Sequence, residues 1–192
     1  MSEVKHYNKD SLFCDDPFNM SLDFNSQYFL SHLITYLGNK RKLLPFINSG
    51  ILEVKKRLGK EKITALDGFS GSGVVARLLK YHTTKLISND FEQYTKTVNT
   101  AYLTNHSLVD IKRLEKAINY LNKNKLKTTN SNYFITNNYA PADDNDIQPG
   151  ERAFYTHSNA QIIDNIRYLI DNAIDKDLRI FCLAQLIVKA SI

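Results

Sequence analysis

Residues 64–79 read TALDGFSGSGVVARLL: a short apolar run, an acid, a cluster of small residues, then an amphipathic stretch. No other segment constrains the fold as strongly. Glycines in a turn from strand to helix let the backbone approach a ligand where a Cβ would intrude. Phosphates, dinucleotides and adenosyl cofactors all use such turns, so the residues around the glycines must decide between them.

The flanking pattern sets the architecture. Lys62–Leu66 is short, apolar and β-branched at Ile63 and Thr64, which predicts a buried parallel strand. Val74–Tyr81 has helical spacing, Lys85–Ser88 is a second short strand, and helices follow near Gln93–Leu103 and Leu108–Leu121. Before the loop, Leu43, Leu44, Ile47, Ile51, Leu52, Val54 and Leu58 mark a helix over Lys42–Leu58, closed by Gly59. The order helix–strand–loop–helix–strand–helix begins an α/β parallel sheet, and two strands do not finish one. Residues 1–27 read as an irregular arm. After Asn122 the chain turns rich in Asn, Thr, Asp and Pro, with one candidate strand at Tyr133–Thr136, as in a loop-rich recognition lobe. Helices are expected at Asn159–Ile174 and Lys176–Lys189, and the strongly apolar last helix stops without a capping glycine or polar tail, the pattern expected of a fragment. The expected division is an arm over 1–35, a cofactor-binding part over 36–121 and a recognition lobe over 122–192.

Composition excludes several classes. Charged residues are 23% and hydrophobic residues 43%, no apolar run approaches the ~20 residues of a membrane span, and MSEVKHYNKD lacks the core of a signal peptide; a cytoplasmic location is expected. Cys14 and Cys182 offer neither a disulfide framework nor a zinc site, and the five histidines lack metal-ligand spacing, so no metal is expected. A net charge of +5, clustered in NKRK (39–42), KKRLGKEK (55–62) and KNKLK (123–127), favours a polyanionic partner, although solvated helix faces account for any one run.

A Walker loop fails, because Val74 and Val75 stand where Lys and Ser/Thr are needed after Gly68 and Gly73. Gly71–Ala76 is a literal GxGxxA with Asp90 after the next strand, so a dinucleotide site of a nicotinamide-dependent oxidoreductase stays open. Asp67 is discordant with it. A carboxylate at the tip of the first strand repels phosphates and suits an ammonium or sulfonium cation. Asp67, Gly71, Gly73 and Asp90 together fit S-adenosylmethionine, with Asp90 accepting the ribose hydroxyls; helix N-capping remains the alternative role for each acid.

YLGNKRKLLPFI (Tyr36–Ile47) resembles the Y/W-x-G-x-K-x-x-L motif that precedes the DxFxGxG strand in Dam-type DNA adenine-N6 methyltransferases, and LISNDFEQYTKTVNTAYL resembles that family's second cofactor motif. RAFYTHSNAQIIDNIRYLI is a looser likeness to the end of its recognition region. The resemblance implies a Rossmann-like S-adenosylmethionine-dependent methyltransferase fold, here incomplete, that modifies double-stranded DNA in a restriction–modification setting. It places Tyr36 beside the adenosyl group, Lys40 near the methionine carboxylate, Asp67, Phe69 and Gly71 around the methionine end, and Asp90 on the ribose. The family's D-P-P-Y/F catalytic motif has no counterpart in family order. CDDPFNM (Cys14–Met20) is its nearest likeness and reads as a turn, so no catalytic residue is assigned. The catalytic half is expected outside this chain, which reads alike as a truncated reading frame, an expression fragment or one chain of a split enzyme whose second chain supplies that half. A non-catalytic DNA-binding remnant remains the rival outside enzymes.

Overall fold

The computed structural model describes residues 22–30, 40–127 and 132–191. Tyr36, the Asp15–Phe18 turn and most of the N-terminal arm lie outside the described residues.

The chain enters through a short helix, α1 (Gln27–Leu30), and a single 3-10 turn at Arg41–Leu43 leads into α2 (Leu44–Leu58). Pro45 sits in the first turn of α2, where its missing N–H loses nothing. At the other end Gly59 takes a left-handed φ of 60°, and its amide closes onto the carbonyls of Lys55 and Lys56. β1 (Ile63–Asp67), α3 (Val74–His82) and β2 (Thr83–Ser88) then form a β-α-β unit, followed by α4 (Gln93–Leu103). The strands pair in parallel, Leu66 beside Ile87 and Asp67 beside Ser88.

This is a mixed helical structure with a small parallel sheet, and among the described residues the sheet has two strands. Leu66 and Ile87 share one face and both are exposed. Parallel sheets bury both faces, so this one offers apolar surface that the described helices do not cover.

The predicted helices form with shifted ends. α5 runs Ile111–Asn124 rather than from Leu108, because Asp110 accepts from the Arg113 amide at 3.1 Å and starts the helix there, with a 3-10 turn at His106–Leu108 before it. α7 (His157–Ala173) starts where the Thr156 side chain accepts from the Asn159 amide, and α8 (Lys176–Ala190) follows. Tyr133–Thr136 is not a strand. It opens α6 (Phe134–Tyr139), because the buried carboxylate of Asp164 on α7 accepts from the Ile135 amide at 3.0 Å and the Thr136 amide at 2.9 Å. These are the donors a helix start leaves unpaired, and a distant residue satisfies them.

Among the described residues three apolar clusters hold the chain together. Phe29, Leu44, Val74 and Leu78 join α1 and α2 to α3. Ala117, Leu121, Leu169, Ile170, Leu178 and Cys182 join α5, α7 and α8, so Cys182 is a buried free thiol. Val98 and Val188 seat α8 on α4, packing the last helix onto the β-α-β part. Arg77, fully buried, anchors α1: its guanidinium donates to the Tyr28 carbonyl and lies 5.6 Å from the centre of that ring.

One basic run is not fully solvated. Lys55 of KKRLGKEK is buried, its Nζ 3.5 Å from Nδ1 of His82, whose Nε2 donates to Asn48 Oδ1 at 2.7 Å. No helix among the described residues is long and apolar enough to cross a membrane.

Candidate functional site

The C-terminal ends of β1 and β2 lie side by side, and the glycine turn crosses between them. Ligands of open α/β folds bind at such strand ends, because the turns there present backbone amides and helix N-termini. Asp67 ends β1 and its main chain stays in register, the Asn89 amide donating to its carbonyl at 2.8 Å. Its Oδ2 is buried without a hydrogen-bond partner. Burial pushes the Asp67 pKa up, the backbone amides of Phe69 and Ala76 and the charge of Lys40 act against it, and Asp90 adds to the rise. An orphaned buried acceptor is expensive, and a cation with N–H donors would relieve it.

Gly71 adopts a left-handed φ of +49°, and a Cβ there would enter open space. Its amide donates to Asp90 Oδ2 at 2.7 Å, while Asp90 Oδ1 accepts from the Glu92 amide at 3.1 Å. Asp90 is therefore not the N-cap of α4; Glu92 occupies that position and makes no side-chain cap. The Gly71 amide, then that of Glu92, holds the Asp90 carboxyl below the usual carboxylate range. It stays ionised at neutral pH as a pure acceptor, suited to a diol.

Gly73 has a reason to be glycine in the fold itself. Its φ is +73°, and a Cβ there would lie 2.0 Å from Oδ1 of Asn99 on α4. Helix packing by itself excludes a side chain there.

Lys40 is exposed and precedes the 3-10 turn, where its charge reaches Asp67. Phe69 is 92% exposed and Phe91, directly after Asp90, 96%, so an aromatic side chain follows each strand end. A cavity of about 320 Å³ opens beside Asp90, with Ser70, Ser88, Lys96, Asn99 and Leu103 in its wall. The structure thus brings Asp67, Gly71, Gly73 and Asp90 together, with Lys40 and Phe69 at the edge. Ser70, Asn99 and Phe91 join them; all three lie inside the segments TALDGFSGSGVVARLL and LISNDFEQYTKTVNTAYL, yet residue type and spacing single out only Phe91, next to an acid at a strand end. Among the described residues no cluster of His, Cys, Asp or Glu could hold a metal ion.

The described residues thus form a mixed helical structure whose small parallel sheet carries a glycine turn flanked by two strand-end acids. The chain belongs to the D12 class N6 adenine-specific DNA methyltransferase family, which residues 36–191 match. It is 34% identical over 141 residues to the modification methylase LlaI of Lactococcus lactis subsp. lactis, an alignment covering 71% of this chain and 21% of that protein. With the type II methyltransferase M.NlaIII of Neisseria lactamica it shares 26% identity over 160 residues, 80% of this chain and 44% of that one. The chain therefore spans less than half the length of these relatives. No solved structure matches it.

Proposed function

We propose that the chain supplies the S-adenosylmethionine site and part of the DNA-reading region of an adenine-N6 methyltransferase of the restriction–modification kind. The observation that carries this reading is the buried, unpartnered Oδ2 of Asp67 beside the open, left-handed Gly71. The residues fit the group. Asp67 would take the ammonium of the methionine end, Lys40 its carboxylate, Asp90 the ribose diol, and Phe69 would border the apolar part. When bound, S-adenosylmethionine supplies an electrophilic methyl group. Tyr36 would pack against the adenosyl group. The names of the two relatives, one a modification methylase and the other a type II methyltransferase, support the same reading.

Residues 36–121 carry the cofactor part in this proposal, and residues 122–192 contribute to reading double-stranded DNA through phosphate and base-edge contacts. Methyl transfer also needs a pocket for the flipped base. The exposed Leu66–Ile87 face of the sheet is where further sequence, on a longer or a second chain, would complete that half.

Nicotinamide dinucleotides fit less well, because Asp67 would face a pyrophosphate from a buried position. Calorimetric titration with S-adenosylhomocysteine and with NAD separates the two. Binding of the former alone is expected; binding of NAD alone sinks the proposal. Methylation of unmodified DNA by these 192 residues alone would refute the need for further sequence.

A further inference from the structure

Asn99 lies in the middle of α4 and is 6% exposed. Its side-chain amide donates to Ser70 Oγ at 3.0 Å and to Ser88 Oγ at 3.3 Å. The hydroxyls are themselves joined, Ser88 Oγ donating to Ser70 Oγ at 2.9 Å and Ser70 Oγ to the Asn89 carbonyl at 3.1 Å. On its other side Asn99 Oδ1 fills the space against Gly73 that a Cβ would need. One side chain therefore spans the glycine turn, the end of β2 and α4.

We propose that Asn99 is a positioning residue of the cofactor site, clamping the Ser70–Gly73 turn so that the Gly71 amide stays on Asp90. The inference rests on reading this region as a cofactor site. Two glycines in left-handed conformations within three residues make a turn with many accessible backbone states, and a ligand that had to order it would bind more weakly. The turn that carries the Gly71 amide to Asp90 is pinned at Ser70 by its own amide on the Asn89 carbonyl, at 3.0 Å, and by the side-chain bridge. At Ser70 and Gly73 the side chain that holds it is the same one. Its buried amide uses both hydrogens on hydroxyls of the other two elements, so no shorter residue could make the same bridge.

The test compares the full chain with Asn99→Ala, Ser70→Ala, Gly73→Ala and the Asn99→Ala/Gly73→Ala pair. S-adenosylhomocysteine affinity is measured by calorimetry and Gly71 amide exchange without ligand by NMR. Asn99→Ala is expected to weaken binding roughly tenfold and to speed Gly71 exchange more than exchange within α7 and α8. Ser70→Ala shifts both in the same direction by less, and serves if Asn99→Ala fails to fold. Gly73→Ala should weaken binding more in the Asn99 chain than in the Asn99→Ala chain, because the added methyl then meets an empty space. Unchanged affinity and Gly71 exchange in both Asn99→Ala and Ser70→Ala overturn the proposal. A parent chain that does not bind S-adenosylhomocysteine sinks the cofactor reading instead, and Gly71 exchange then decides alone whether Asn99 holds the turn.

Discussion

The Gly71 amide donates to Asp90 Oδ2 at 2.7 Å, tying the turn after the first strand to the end of the second across 19 residues of chain. The acid that sequence spacing assigns to a ribose is thus also a fastener of the loop that would surround the cofactor. Asp90→Ala removes the fastener together with the proposed ribose contact, and S-adenosylhomocysteine affinity should fall roughly 10- to 100-fold, as for loss of charge-assisted hydrogen bonds. Calorimetry at neutral pH measures it. The Asp90 pKa is depressed on folding, so its contribution to stability is full above the usual carboxylate range and disappears as pH falls through the folded value.

Two glycines of the same loop should respond very differently to alanine. At Gly73 a methyl group meets Asn99 and the backbone is left-handed, so Gly73→Ala should destabilise by about 2–4 kcal/mol. Gly68 has open space around its Cβ position, and Gly68→Ala should change stability by less than about 1 kcal/mol. Urea denaturation of the two variants side by side checks the contrast.

His82 sits buried between α2 and α3, and burial first, then the charges of Lys55 and Lys62, pushes its pKa down to about 4 from 6.5. Folding therefore favours the neutral ring. Stability is full above pH 6.5 and is lost as pH falls from there towards the folded value, by of order 3 kcal/mol. Denaturation between pH 7 and pH 4 should show this slope, and His82→Gln should flatten it.

Asp164 holds the start of α6 through the Ile135 and Thr136 amides and the Thr136 hydroxyl, 2.8 Å from Oδ2. Asp164→Ala leaves those donors buried and should cost about 2–4 kcal/mol. The Ile135 and Thr136 amides should lose exchange protection before those of α8.

Much of the fold was legible because it is local. The apolar spacing of Val74–His82 and of Gln93–Leu103, the β-branched run before Asp67 and the stop at Gly59 each follow from neighbours in the chain. Where a distant partner decides, local pattern misleads. Tyr133–Thr136 has the residue types of a strand, and Asp164, 28 residues from Thr136, makes it helical. Lys55 reads as a solvated base, yet packing of α2 on α3 buries it against His82.

By itself the sequence determined that a glycine turn with an acid before it and another after the next strand would form, since residue type and spacing along ~25 positions specify strand, turn and helix. Only the tertiary structure decided what each part of that turn does. It showed that Gly71 faces open space while Gly73 faces Asn99, that Asp90 fastens the loop, and that Asp67 keeps an oxygen buried without a donor. The reason is physical: glycine permits a conformation without saying what lies beside it, and a carboxylate's role is set by which donors packing brings within reach.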